Sequence, residues 1–313
     1  MEQQALRVMV QLRYYDWPVL LGIRQVVATY IWESEAELES TFRYPFQPDP
    51  YLYELQGTLT GTWVERPTIS YRPTVGDAFV NQLLTPIRPD TLFALMEGGI
   101  AADLLMTMTV DSINGYRNAS ATAGDPAPPD EEFYRVVRLL RTLQLKNAIQ
   151  LQLQVEKRDV DLKLRFFTEQ LPEDLQREVE EVMELLGLEP ERDTFDIAYG
   201  ISGTDLHTIR LKTRPMMKVL IELSSAVEVP YNQTHLTRPS RALPDEQRLP
   251  FRVHSGMARP WNAGVAIRYR GQWFWINDDD PASKNTLELV LIILTVSEES
   301  GDGRGPVLTI PAG

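Results

Sequence analysis

The sequence predicts an α+β fold: an antiparallel sheet built from ββα units with helices packed on one face, plus an N-terminal strand-and-helix region. Three observations carry that reading. First, Ile149, Leu151, Leu153 and Val155 alternate with Gln150, Gln152 and Gln154. After the turn Lys157-Arg158-Asp159, Val160, Leu162, Leu164 and Phe166 alternate with Asp161, Lys163 and Arg165. Period-two alternation buries one face of a strand and wets the other. Second, each pair of alternating segments is followed by a stretch with helical spacing. Third, the chain has 313 residues, 43% hydrophobic and 24% charged. That is an ordinary globular composition, in a chain long enough to bury a real core.

Residues 5–13 suit a short helix. Residues 19–32 are rich in β-branched and aromatic types and predict a strand. Residues 33–39 are acidic and Pro45, Pro48 and Pro50 follow, which predicts a surface loop. Residues 51–64 and 68–71 predict strands, and residues 75–84 and 89–116 predict helices. Gly98 and Gly99 break the latter into two. Residues 119–130, ASATAGDPAPPD, are small, Gly and Pro residues without apolar anchors, the composition of a linker. A boundary there separates an N-terminal region, 1–118, from a C-terminal α+β domain, 131–313.

Residues 131–145 form an amphipathic helix with Phe133, Val136, Val137, Leu140 and Leu143 on one face. After the first hairpin, Pro172 opens a helix that Gly187 stops. Glu173 and Asp174 sit at its positive end, and Leu175, Val179, Val182, Met183 and Leu186 make its apolar stripe. In the next round Phe195, Ile197 and Tyr199 alternate, residues 200–205 turn, residues 206–211 return, and Pro215 opens a helix to about 227. The third round follows a polar loop, 231–250. Strands 251–254, 265–270 and 272–277 precede a helix capped by Asp280 and opened by Pro281, and residues 307–310 end the chain's strands. These units share an order of elements, not a sequence repeat.

Charge and residue usage exclude several function classes. The net charge is −13, which opposes binding to nucleic acid phosphates and to anionic membranes. Arg135, Arg138 and Arg141 share one helix face, as solvated faces often do. There is no cysteine, hence no disulfide, thiolate metal site or cysteine nucleophile. His207, His235 and His254 are too scattered for a histidine metal site. The chain opens on Met1-Glu2-Gln3-Gln4, with no secretion signal pattern, and the longest apolar run, 287–296, is too short to span a bilayer. That run belongs to a helix apolar on almost every side, which predicts full burial or docking onto another protein.

The candidate sites are few. Trp273 and Trp275 share a strand face, Tyr269 lies across the turn and Trp261 is near in sequence. Together they could form an aromatic platform for a ligand or a partner, or pack as core. Asp278-Asp279-Asp280 offers three carboxylates, but the spacing of a calcium loop is absent and Asp280 before Pro281 is what a helix N-cap needs. His254-Ser255-Gly256 has the composition of a hydrolytic site without a nucleophile elbow. Residues 200–204, GISGT, resemble a phosphate cradle but lack its lysine. Glu178, Glu180, Glu181 and Glu184 form an acidic helix face, which is usually solvated and sometimes contacts a basic partner. No catalytic residue, cofactor or metal site is expected.

Several stretches together resemble a known family. These are Leu12-Arg13-Tyr14-Tyr15-Asp16-Trp17-Pro18-Val19, Glu65-Arg66-Pro67-Thr68-Ile69-Ser70-Tyr71, Leu83-Leu84-Thr85-Pro86-Ile87, Ala102-Asp103-Leu104-Leu105, Ser112-Ile113-Asn114-Gly115, Arg268-Tyr269-Arg270-Gly271-Gln272-Trp273-Phe274-Trp275-Ile276 and Val307-Leu308-Thr309-Ile310-Pro311-Ala312. They are similar to an uncharacterised family of bacterial envelope proteins, often described as lipoproteins. The resemblance implies a periplasmic or outer-membrane-peripheral location and brings no catalytic residues. Members carry a secretion signal and a lipidated cysteine. This chain shows neither, as expected of a trimmed mature part whose precursor bore the lipid anchor, or of a member that is not lipidated. The sequence therefore leads to a non-enzymatic envelope protein that binds a protein partner or assembles with itself. The rival is a glycan or small-molecule module using Trp261, Tyr269, Trp273 and Trp275.

Overall fold

The computed structural model of this chain describes residues 1–18, 21–37, 58–73, 83–120, 129–156, 159–167, 171–201, 203, 205–240 and 243–299. The chain divides into two compact units, Met1–Leu20 with Val75–Gly313, and Leu21–Thr74. The predicted loop prolines Pro45, Pro48 and Pro50, most of the helix at 75–84 and the strand at 307–310 lie outside the described residues.

The smaller unit contains an antiparallel pair, β1 (Leu21–Glu37) and β2 (Thr58–Pro73). At about 3.3 Å per residue each strand is on the order of 50 Å long. Two expectations change here. Residues 33–37 were expected in a loop, but they continue β1, with Glu33, Glu35 and Glu37 opposite Thr62, Thr60 and Thr58. A β-branched partner strand outweighs the weak strand preference of glutamate. The strands expected on either side of Pro67 are one strand, with Pro67 opposite Ala28. Proline is tolerated within a strand where its missing N–H costs no ladder bond.

In the larger unit, α1 (Glu2–Arg13) opens the chain. It buries Ala5, Leu6, Val8, Met9, Val10 and Leu12, nearly its whole circumference. Next come α2 (Pro89–Glu97) and α3 (Ala102–Thr109), separated at Gly98 and Gly99 as their low helix propensity predicts. The helix expected to run on to residue 116 stops at Thr109. Strands β3 (Val110–Ile113) and β4 (Tyr116–Arg117) follow as a hairpin. Its turn is Asn114-Gly115, with φ of 46° and 98°, the two left-handed positions a tight hairpin requires.

Helix α4 (Glu131–Leu145) leads to β5 (Ile149–Glu156) and β6 (Asp159–Phe166), paired in the predicted register with Leu151 opposite Leu164. Helix α5 (Glu173–Leu186) buries the five predicted apolar residues and ends at Gly187, whose φ of 64° is left-handed. Pro172 is its N-cap. Then β7 (Thr194–Tyr199), β8 (Thr208–Thr213) and α6 (Met216–Ser224) complete this half. Among the described residues the sheet has the order β4-β3-β8-β7-β6-β5.

The α+β class holds, with one correction inside the sheet. The segments 195–199 and 206–211 were expected as an out-and-back pair, but β7 and β8 run parallel, Asp196 opposite Thr208 and Tyr199 opposite Leu211. The return path is the loop itself. The Leu206 carbonyl accepts from the Glu189 N–H and the His207 carbonyl from the Asp196 N–H, so the loop's end lies at the start of β7. The loop folds over Arg210, where a Cβ on Gly203 would fall 2.3 Å from its Nε. Alternation is the same in parallel and antiparallel strands, so the sequence pattern carries no direction.

The second sheet has the order β10-β11-β9, from β9 (His254–Gly256), β10 (Ala263–Tyr269) and β11 (Gln272–Asn277). Helix α7 (Pro281–Glu299) follows. The Asp280 carboxylate accepts from the Ser283 N–H at 3.0 Å, so the predicted N-cap is present. In α7, Leu287, Leu289, Val290 and Ile293 are buried. Both sheets share one continuous core, in which Phe133, Phe166, Phe195 and Phe274 are among the largest fully buried side chains.

The boundary expected at 119–130 does not divide the chain. β3, on one side of it, pairs with β8 on the other. Residues 121–128 lie outside the described residues, but both ends of the segment are held. The Arg117 N–H donates to the Asp130 carboxylate at 2.8 Å and the Asp130 N–H to the Arg117 carbonyl at 2.9 Å. Asn118, Ala119 and Ser120 are themselves buried.

Candidate functional site

The two faces of the β10-β11-β9 sheet differ. Val265, Ile267, Phe274 and Ile276 are buried on the inner face, which meets α1. Tyr269 belongs to that inner face. Its ring lies 5.8 Å from Tyr14, at the end of α1, and its hydroxyl donates to the Asp16 carboxylate. Arg270 Nη2 reaches the same carboxylate at 2.8 Å. The Tyr269 hydroxyl, and after it Arg270, hold the Asp16 carboxyl below its ordinary value. Residues 14–16 and 269–270, far apart in the chain, thus meet in space.

The outer face carries Trp273, Trp275 and Asn277 from β11, His254 and Gly256 from β9, and Ala266 and Arg268 from β10, as register and alternation require. A polar chain fixes it. Trp275 Nε1 donates to Asn277 Oδ1 at 2.8 Å. An indole N–H can only donate, so the Asn277 amide must present its nitrogen to His254 Nε2, 3.4 Å away. His254 Nε2 therefore accepts, which puts the ring proton on Nδ1, facing Glu228 Oε2 at 3.3 Å. Glu228 also accepts from Arg252 Nε at 2.7 Å. The His254 and Trp275 rings are 5.6 Å apart at 31°. Glycine at 256 makes room for this packing, since a Cβ there would come within 3.2 Å of the Trp275 ring.

Residues 257–262 connect β9 to β10. Because β11 lies between those strands, the connection must cross it, and the filled inner face leaves only the outer one. Arg259 lies over the Trp273 ring at 5.7 Å, and the Asn262 carbonyl accepts from the Asp278 N–H at 2.8 Å. This strap holds Met257 at 86% and Trp261 at 97% exposure, while Trp273 and Trp275 are half-buried beneath. Arg252, Arg259 and Arg268 are exposed here, Arg252 in an ion pair with Glu228.

The structure thus separates the four aromatic candidates. Trp273 and Trp275 share the outer face, Trp261 stands out on the strap, and Tyr269 is on the opposite face. Among the other candidates, Ser255 lies opposite Phe274 and so points away from His254, which rules it out as that histidine's partner. Asp278 pairs with Lys284 at 2.8 Å, and burial tends to raise the Asp280 carboxyl, but bonds from Ser283 hold it below its ordinary value. No group of three or more metal-ligating side chains gathers among the described residues. Arg135 bonds Glu181 at 2.6 Å, so the basic face of α4 and the acidic face of α5 meet. Sequence reading missed Glu228 and Asn277, whose roles depend on His254, 26 and 23 residues away in the chain.

A second polar centre is buried. Arg214, 2% exposed, donates to Asp111 Oδ1 at 2.7 Å and to the carbonyls of Thr107, Met108 and Ala119. Lys218 meets the same Asp111 oxygen at 2.7 Å. Glu222 accepts from the Ser120 hydroxyl. Arg214, in the link between β8 and α6, clamps the 107–119 segment to that link, and Lys218 ties Asp111 to α6. Compared with known proteins, the chain matches no family model, no curated protein and no solved structure.

Proposed function

We propose that this chain is a non-enzymatic binding protein that recognises a protein partner through the strap and outer face of the β10-β11-β9 sheet. The supporting observation is the pair Trp261 and Met257, almost fully exposed on a strap anchored at Trp273 and Asn262. Large exposed apolar side chains on a firm support, ringed by arginine, have the composition of an interface hot spot. The glycan reading is weaker, because stacking needs open ring faces. Arg259 lies over Trp273 and His254 against Trp275. The sequence resemblance supports a bacterial envelope location for this binding.

The test is a photo-crosslinking amino acid placed at position 261 in living cells, with position 231 as control, since Tyr231 is also 94% exposed. A discrete adduct at 261 alone is expected, and it should disappear when Met257→Ser is added. Equal labelling at both positions, or none at 261, would overturn the reading. Replacing Trp261 by Ala should leave folding stability within about 0.5 kcal/mol, as for other surface sites.

A further inference from the structure

Sheet edges invite pairing with other chains, and proteins blunt them with short strands, bulges, charges, proline or cover. Among the described residues the larger unit has four such edges, and three are blunted. β4 has two residues, and its Arg117 is engaged by Asp130. β10 has a register shift between Ala263 and Val265 and carries exposed Arg268. β9 is flanked by residues 226–228, through the Val227–Val253 bridge and the bond from the Glu228 N–H to the Val253 carbonyl. The fourth edge, β5, has eight residues in unbroken register with β6, and residues 149–155 include no charge and no proline.

The direction of the β5 backbone groups is known. Ala148 accepts from Phe167 on the β6 side, so residues 149, 151, 153 and 155 turn their N–H and C=O outward. At one of them the demand for a partner is visible. The Leu151 N–H donates to Glu97 Oε1 at 2.8 Å, a carboxylate standing where the carbonyl of another strand would stand. Beside this bond a groove of about 350 Å³ runs between α2 and β5, with Phe93, Met96 and Leu151 among its walls.

We propose that a second copy of this chain pairs with β5, antiparallel and about a two-fold axis through Gln152. The register follows from counting. The only symmetric pairing that matches all four outward residues sets 149 against 155 and 151 against 153, which places 152 against itself. The Leu153 carbonyl of one protomer then replaces the Glu97 carboxylate on the Leu151 N–H of its partner. Position 150 falls opposite 154 and position 152 opposite itself, and all are glutamines, so this stretch of the pairing brings no like charges together although each chain carries a net charge of −13. Glu156 falls opposite Ala148, and no acidic pair is created. Such an isologous contact closes on itself and does not propagate into fibres. It is independent of the recognition face proposed above.

The chain contains no cysteine, so a single introduced thiol can meet only its own copy. Under mild oxidation Gln152→Cys in the full chain should form a covalent dimer, because directly opposed non-hydrogen-bonded residues approach closely enough for a disulfide. Gln150→Cys should not, since it faces residue 154. Light scattering should report a dimer for the unmodified chain. Gln152→Glu should weaken that dimer roughly fivefold at low salt, from like charges placed opposite each other. Within one chain Gln152 lies opposite Lys163, so this variant should keep its thermal stability, and weakened dimerisation cannot be mistaken for unfolding. A monomer at all concentrations, equal crosslinking of both cysteine variants, or a dimer indifferent to Gln152→Glu would overturn the proposal and leave the edge to another segment or partner.

Discussion

The two sheets of the larger unit leave different things unfinished. The β10-β11-β9 sheet has modest edges but a face of half-buried indoles under a strap, with exposed apolar side chains above it. The six-stranded sheet ends in a regular, uncharged edge. A face selects partners by side-chain shape and charge, whereas an edge offers backbone hydrogen bonds to an extended strand. Their supports differ as well. In the six-stranded sheet Asp111 is held by the buried Arg214, just before α6, and by Lys218 of α6, whereas the three-stranded sheet holds its outer face through the half-exposed Glu228–His254–Asn277 chain.

That contrast makes the buried clamp the costliest thing to disturb. Arg214→Met leaves Asp111 with Lys218 as its remaining cation and removes the guanidinium from the Met108 and Ala119 carbonyls, while the Thr107 carbonyl keeps the Asn118 amide. It should cost about 3–5 kcal/mol, the range for breaking a buried ion pair from one side. Urea denaturation measures it, and a loss below about 1 kcal/mol would break the contrast.

Next in size is a pH effect. Burial pushes the Asp111 carboxyl upward, but the positive charge of Arg214 and the bond from Lys218 outweigh it and leave its value depressed. A depressed folded value means the carboxylate stabilises the fold above its unfolded value, about 3.9, and this is lost as pH falls through the folded value. Asp111→Asn should therefore be less stable than the parent at neutral pH, and the two should converge in acid. Thermal unfolding across that range decides it; a difference independent of pH would contradict this.

The smallest effect belongs to the face. Gly256→Val drives a side chain into the Trp275 ring and should cost about 1–3 kcal/mol by overpacking. Indole fluorescence should shift, while dimerisation through β5 should not change. If dimerisation weakened too, face and edge would not be separate sites.

Much of the fold was legible in the residues. The β5–β6 hairpin, the buried stripe of α5 with its Gly187 stop, and the Asp280 cap each follow from patterns within a few residues. The β3–β4 hairpin reads as helix in the sequence, because its apolar residues suit one, although Asn114-Gly115 is a hairpin-turn pair. Of the site, Trp273 and Trp275 were visible as a shared strand face. Tyr269 was not separable from them, because its side depends on register across a turn.

By itself the sequence determined the class of fold and the type of many elements, since alternation, capping and composition are local properties. Tertiary structure alone decided that β7 and β8 run parallel, that Arg117 meets Asp130, that Glu228 and Asn277 orient His254, and that β5 is the last strand of its sheet among the described residues. Each of these is a relation between residues far apart in the chain, and the free energy that selects among such relations comes from shared burial and paired hydrogen bonds, which no local window contains.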